Sequence, residues 1–316
     1  MKGGIILITR DRKERLCREN RTLLELVFYM GKGIMYKQHI LRYMNEFEGL
    51  NEIDISKVLG ELNENEIIDY HNFLGTKIIK LKKYAVYFLL EKDREDVSSI
   101  QFTAGKAYKS AFLNQIILQN AEILKRRISN LRELINLYLR ETTYFAKDKE
   151  SFYYLKHQIY NGWCTPYAEQ EIQNLILAKQ QSHLFVTTKK KVQSSYNLNS
   201  IQASSIYLGL KRTTISGRTF LFVDVLDING LITGKKFADK VNTTMDYLNQ
   251  LFNRKKIGFH FTLYVQSKER KEFLQKHSKK INTDILNHCK EEVRWEIKNL
   301  DLERTLFKNQ KVLLNV

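Results

Sequence analysis

The stretch Asp54–Ile68, DISKVLGELNENEII, decides how the first third of the chain reads. Ile55, Val58, Leu59 and Leu62 fall at i, i+3, i+4 and i+7, the spacing of one buried helix face. Asp54 stands where a helix cap is expected. The opposite face shows Ser56, Lys57, Gly60, Glu61 and Asn63, all short or polar. A polar turn then leads to the step Ile67-Ile68, so the stretch predicts a short helix running into extended chain.

Two further helices are predicted upstream. One spans Glu19–Met30, with Leu23, Leu24, Val27 and Met30 on one face, and Gly31 and Gly33 stop it. The other spans Tyr36–Phe47, with Ile40, Leu41, Met44 and Phe47. Downstream the period switches, and Ile78, Ile79 and Leu81 form one β-like run while Tyr84–Leu90 forms a second. Three short helices followed by a β-hairpin predict a winged helix-turn-helix over residues 1–95, and Asp54–Ile68 resembles the recognition-helix segment of that superfamily. A major groove about 12 Å wide admits one such helix, and the hairpin lies over the neighbouring backbone. On this reading Asp54, Ser56, Lys57 and Asn63 face duplex DNA, and Lys77, Lys80, Lys82 and Lys83 contact phosphate. The rival is a winged helix that binds protein. Residues 1–90 carry 15 basic and 12 acidic side chains, and Asp54 and Glu61 lie on the proposed reading face.

The most regular periodicity lies further on. Leu113, Ile117, Ala121, Leu124, Ile128, Leu131, Ile135 and Tyr138 recur every three or four residues, with no Gly or Pro between them. This predicts one helix from Lys106 to Thr142, about 50 Å long at 1.5 Å per residue, within a connecting segment 96–150. Ile117, Leu124, Ile128, Leu131 and Ile135 are the expected seam of a homodimer. Packing inside one chain is the alternative.

Residues 151–316 read as an α/β domain with a mixed sheet. A helix is expected at Tyr167–Gln180 and strands at His183–Thr187 and Ser205–Leu210. RTFLFVDVLD follows as a strand, KKFADKVNTTMDYLNQLF as a helix and IGFHFTLYV as a strand. KERKEFLQKHSKKINTDILNHC is then a helix and VRWEIKNL a strand. The charge follows this division. The chain holds 52 Lys+Arg against 35 Asp+Glu, a net of +17, and residues 201–316 hold 21 basic against 12 acidic. A polyanion is the natural partner for that excess. Lys235-Lys236 and Arg254-Lys255-Lys256 are the expected phosphate grip.

The segment Thr219–Leu274 carries a likeness to a known family. A strand ending in acids, Asp224 and Asp227, precedes a helix with Lys240 and Tyr247, and a later strand leads to Ser267-Lys268-Glu269-Arg270. With the winged helix ahead of it, this resembles the replication-relaxation family of Gram-positive plasmid and conjugative-element proteins. The acids stand three apart rather than at the Glu-x-Asp spacing of that family. The resemblance implies a DNA-binding accessory of a mobile element, acting with plasmid-machinery proteins in replication, relaxation, transfer or transcriptional control.

A metal-dependent nuclease needs a carboxylate pair and a lysine around a divalent cation. Asp224, Asp227 and Lys240 are the candidates, and Glu296-Ile297-Lys298 has the acid-x-Lys spacing, but the sequence does not order the strands. Asp227-Ile228-Asn229-Gly230 also reads as an ordinary turn. GLITGKK lacks the length and the Ser/Thr of a Walker loop. The seven histidines never take a metal-ligand spacing with cysteines, so no metal or cofactor is expected. Tyr153, Tyr154 or Trp163 are the candidates for stacking on single-stranded bases. No run of 18 apolar residues spans a membrane, and Cys17, Cys164 and Cys289 read as reduced thiols. The expectation is a cytoplasmic, dimeric, non-catalytic DNA binder, with a nuclease centred on Asp224 or a protein-interaction scaffold as alternatives.

Overall fold

The computed structural model describes residues 10–126, 128–141, 205–215, 218–251, 257–289 and 293–306. They belong to two compact units, one of residues 1–136 with 301–316 and one of residues 137–300. The expected segment 96–150 is thus divided, and most of it belongs to the first unit. Both helices and strands build the chain. Among the described residues no helix is long and apolar enough to cross a membrane.

In the first unit, α1 (Arg10–Glu19) and α2 (Arg21–Glu25) lead into a π-helical turn, Leu26–Met30. Strand β1 (Ile34–Tyr36), helices α3 (Lys37–Glu48) and α4 (Glu52–Glu64), and strands β2 (Ile68–Phe73) and β3 (Thr76–Leu81) follow. The sheet order is β1-β3-β2, antiparallel throughout. Gly33 has a reason to be glycine. Its φ is +83°, and a Cβ there would lie 2.0 Å from Ile100 Cδ1. The β2–β3 hairpin closes through Leu74 and Gly75, both at positive φ, as a two-residue turn that matches the strand twist requires.

Three expectations about this unit need correction. The cap of α4 is Asn51, whose side chain accepts from the backbone N–H of Asp54; Asp54 lies inside the helix. The hairpin is formed by β2 and β3, one element earlier than predicted. Tyr84–Leu90 is helical, within α5 (Lys83–Leu90), and buries Ala85, Val86 and Leu89 on one face. An unbroken apolar run of that length has no period to separate strand from helix.

The long heptad helix is also absent. It is replaced by α6 (Ala104–Gln119), α7 (Ala121–Lys125) and α8 (Leu131–Glu141). Asn120 turns its side chain back to the carbonyl of Ile116 at the first break. At the second, Asn130 accepts from the N–H of Glu133, and the Glu133 carboxylate accepts from Ser129 N–H. That reciprocal pair starts a new helix. Ile117, Ile128, Leu131 and Ile135 are buried within this chain and Leu124 is half-buried, so they offer no seam to a second copy.

What α6 does instead is dock on the first unit through buried polar groups. Ser110 Oγ donates to the Ile34 carbonyl at 2.7 Å. Asn114 Nδ2 donates to the Met30 and Ser110 carbonyls at 3.2 and 2.8 Å, and its Oδ1 accepts from Tyr43 Oη at 3.1 Å. His39 Nε2 lies 3.2 Å from Gln115 Oε1. Such groups are tolerated in a core only when paired, so α6 is keyed to one position.

In the second unit, β4 (Ile206–Ile215), β5 (Arg218–Leu226), β6 (Ile257–Val265) and β7 (Arg294–Asn299) form one sheet in the order β4-β5-β6-β7. The first pair is antiparallel and the other two are parallel, so the sheet is mixed as expected. Helix α9 (Gly234–Leu251) connects β5 to β6, and α10 (Lys268–Gln275) and α11 (Ser278–Cys289) connect β6 to β7. The predicted single helix over these last two is broken at Lys276-His277. Val223, Val225, Phe261, Leu263 and Ile297 on one sheet face pack with Phe237, Val241, Leu274, Ile281 and Ile285 of the helices. Strand period then sends the intervening residues to the other face. The expected elements Tyr167–Gln180 and His183–Thr187, with Tyr153, Tyr154, Trp163 and Cys164, lie outside the described residues.

Candidate functional site

The predicted DNA face of the first unit is assembled but carries mixed charge. On α4, Asp54 and Lys57 are exposed and pair with each other at 3.6 Å. Ser56 and Asn63 are half-buried, while Glu52, Glu61 and Glu64 are exposed. Arg12 of α1 reaches Glu61 at 3.9 Å. Acid therefore outweighs base along the outward side of this helix, and a phosphate backbone meets repulsion there. Ile53 beside them is 69 % exposed and Leu50 42 %.

The hairpin is more cationic, but two of its lysines are spoken for. Asp69 sits between Lys80 at 3.4 Å and Lys82 at 3.2 Å. Lys83 is half-buried at the start of α5. Lys77 is exposed, 5.6 Å from the ring centre of Tyr70, a cation–π arrangement that leaves its ammonium facing water. Of the four predicted phosphate contacts, Lys77 is the best presented.

In the second unit Lys235 and Lys236 are exposed in the first turn of α9, which Thr233 caps through the N–H of Lys236. Gly234 packs against Ile281 and His277. That approach sets the start of α9 beside the α10–α11 turn, where Lys276, Lys279 and Lys280 are exposed. The sequence did not group these three with Lys235 and Lys236, because only the fold joins residues some 40 positions apart. Arg254, Lys255 and Lys256 lie outside the described residues.

The three catalytic candidates are separated. Asp227 is 1 % exposed. Arg270 Nε donates to its Oδ2 at 2.9 Å, the N–H of Ile232 donates to its Oδ1 at 3.0 Å, and Arg270 Nη2 donates to the Ile232 carbonyl at 2.7 Å. This carboxylate clamps the β5–α9 turn and is not available for chemistry. Lys240 belongs to α9, which covers the sheet face opposite to Asp224.

Asp224 stands in a row that the sequence does not reveal. It is level with Thr262 on β6, and Thr262 is level with Glu296 on β7. Lys298 lies on the same face of β7, two residues on, with Nζ 2.7 Å from Glu296 Oε1. Glu296 Oε1 is also 3.3 Å from Thr262 Oγ1 and 3.3 Å from His260 Nε2. The carboxylate therefore leans off its own strand and over β6, toward β5. Asp224 is 5 % exposed and Thr262 wholly buried.

The electrostatics of this row have identifiable causes. Burial works against the charge on Glu296, but the ammonium of Lys298, followed by His260 and Thr262, outweighs it and lowers the carboxyl's pKa. Burial lowers the pKa of His260 despite Glu296, so its ring is neutral at pH 7. Burial, then the charges of Asp224 and Glu296, raise the pKa of the Tyr264 phenol and keep it protonated. Among the described residues no group of three or more His, Cys, Asp or Glu side chains is arranged to hold a metal ion. Cys17 is buried, with its thiol pushed up to about 12 chiefly by that burial, and is unreactive. Comparison with known protein families, with curated proteins and with solved structures finds no match.

Proposed function

We propose that this chain binds duplex DNA, with the hairpin of the first unit and the basic side of the second making the contacts. The observation that carries the reading is the order of the first unit: β1, α3, α4, then the β2–β3 hairpin, with β3 between β1 and β2. That is the order of a winged helix-turn-helix, in which two helices and a hairpin are offered to a groove and its flanking phosphates. The net charge of +17 supports it. The resemblance to the replication-relaxation family leads us to place the activity on a plasmid or conjugative element.

The role of α4 changes on this proposal. Its outward acids make it a poor reader of base edges, and the hairpin leads through Lys77. A second reading is favoured by a specific feature: acids with exposed Ile53 and Leu50 suit a protein partner, and make the unit a scaffold. Gel shifts with duplex from upstream of the chain's own gene separate the two. The expected result is a shifted duplex, weakened several-fold by Lys77→Ala across all sequences and little changed by Lys57→Ala, whose charge Asp54 already offsets. A chain that shifts no duplex at low salt sinks the DNA reading and leaves the scaffold.

A further inference from the structure

We infer that the second unit's sheet carries a stacking platform for the bases of single-stranded nucleic acid, with the Arg294 guanidinium, supported by the Phe220 ring, as its landing surface. The site is separate from the duplex contacts proposed above and does not rest on them.

Strand period and register build the platform. Val223, Val225, Phe259, Phe261 and Ile297 pack with α9, α10 and α11, so Phe220, Phe222, His260 and Arg294 belong to the other face. Phe222, His260 and Arg294 stand level in one row across β5, β6 and β7, and Phe220 is level with Gly258. The Phe222 and His260 rings stack, with centres 4.7 Å apart and planes 21° apart. Phe220 leans over the bare backbone of Gly258, where a Cβ would lie 2.5 Å from its Cε1. Any larger residue at 258 displaces the ring. Arg294 reaches in from β7, and its guanidinium lies over that ring, 4.5 Å from the centre.

The platform is the open half of this face, at the end where the parallel strands begin. Phe220, Phe222 and His260 are half-buried there and Arg294 is exposed. Toward the other end the face closes, with Asp224, Thr262 and Tyr264 buried.

The occupant follows from what Arg294 offers. Among the described residues it forms no ion pair. A guanidinium held over a ring is fixed in place, while its N–H groups stay open to a ligand. Guanidinium planes and aromatic rings are the surfaces on which unpaired bases stack. Duplex does not fit, because its bases already stack on one another. Charge agrees, since residues 201–316 hold 21 basic against 12 acidic side chains. Glu296, next on this face of β7, is held by Lys298 at 2.7 Å. A polyanion with free flat faces meets all of these conditions, and single-stranded nucleic acid is such a polymer.

The test titrates a fluorescein-labelled short oligothymidylate with the full chain and follows anisotropy. An abasic sugar-phosphate oligomer of the same length keeps the charge and lacks the stacking faces. The unaltered chain is expected to bind it about tenfold more weakly, the worth of one stacked base. Arg294→Lys keeps the charge and loses the plane. It is expected to weaken oligothymidylate binding about tenfold, with the salt dependence and the abasic affinity unchanged. Lys77→Ala, on the hairpin, is expected to leave oligothymidylate binding as it is. Arg294 is exposed, so its exchange leaves the core untouched, and the abasic comparison needs no variant. No binding of oligothymidylate at low salt, equal affinity for the two oligomers, or equal affinity of Arg294→Lys and the unaltered chain overturns the platform. Loss of affinity in Lys77→Ala alone moves the strand to the hairpin and overturns it too. A chain that binds oligothymidylate in the expected pattern but shifts no duplex sinks the duplex proposal and leaves this site standing.

Discussion

Arg270→Ala is expected to destabilise the second unit by about 3–5 kcal/mol, the cost of stranding a buried charge. Asp227 is almost wholly enclosed, and Arg270 is its only ionic partner among the described residues. The arginine also holds the Ile232 carbonyl, so its removal frees the β5–α9 turn at two points. For a unit of this size the loss corresponds to a fall of about 10 °C in the melting temperature of its transition. Removing both charges, as in Asp227→Asn with Arg270→Met, is expected to cost less than the sum of the single changes, because the second change relieves the charge left by the first. Urea unfolding of the three variants checks this. A loss below about 1 kcal/mol for Arg270→Ala contradicts the clamp role.

A second large effect follows pH. His39 is fully buried against Gln115, and burial, with Arg42 nearby, lowers its pKa to about 3. Unfolded, the same ring titrates near 6.5. The native value lies below the unfolded one, so the unfolded chain takes the proton first. Stability of the first unit is therefore full above about pH 6.5 and is lost as the pH falls from there toward about 3. Between pH 7 and pH 5 the loss is about 2 kcal/mol. His39→Gln, which has no group to protonate, is expected to flatten this segment of the curve even if it starts from a lower stability. Denaturant melts at pH 5, 6 and 7 give the comparison, and an equal slope in the two chains rules His39 out as the cause.

These two sites show where sequence reading stops. Strand β6 and helix α9 were legible because each keeps one period along its length: Phe259, Phe261, Leu263 and Val265 alternate, and Phe237, Val241, Met245 and Leu248 step every three or four. The α4–β2 step was legible in Asp54–Ile68 for the same reason. Tyr84–Leu90 was not, since seven apolar residues in a row carry no phase. The heptad pattern misled because it counts apolar positions and ignores the polar ones. Asn114 sits in the core, and Asn130 with Glu133 starts a helix in mid-pattern. A capping signal, Asn-x-x-Glu, was there to be read.

The candidate site was half legible. Asp224 and Glu296-Ile297-Lys298 stand out by residue type, but strands β5 and β7 are separated by some 70 residues of sequence and one strand of sheet. Only the β5-β6-β7 order puts them in one row. Asp227 looked as catalytic as Asp224 because the arginine that occupies it lies 43 residues on. Part of the acidity of the α4 face was readable from Asp54 and Glu61, which already weakened this helix as a DNA reader; the outward placement of Glu52 and Glu64 came with the fold.

Duplex DNA is the proposed partner of this basic chain. Fluorescence anisotropy of a labelled duplex, titrated with the full chain at salt concentrations from 50 to 200 mM, tests that most directly. The predicted result is a linear fall of log affinity with log salt, with a slope of about −0.9 for each phosphate contact and several contacts in all. No binding at 50 mM, or an affinity unchanged across the range, contradicts it.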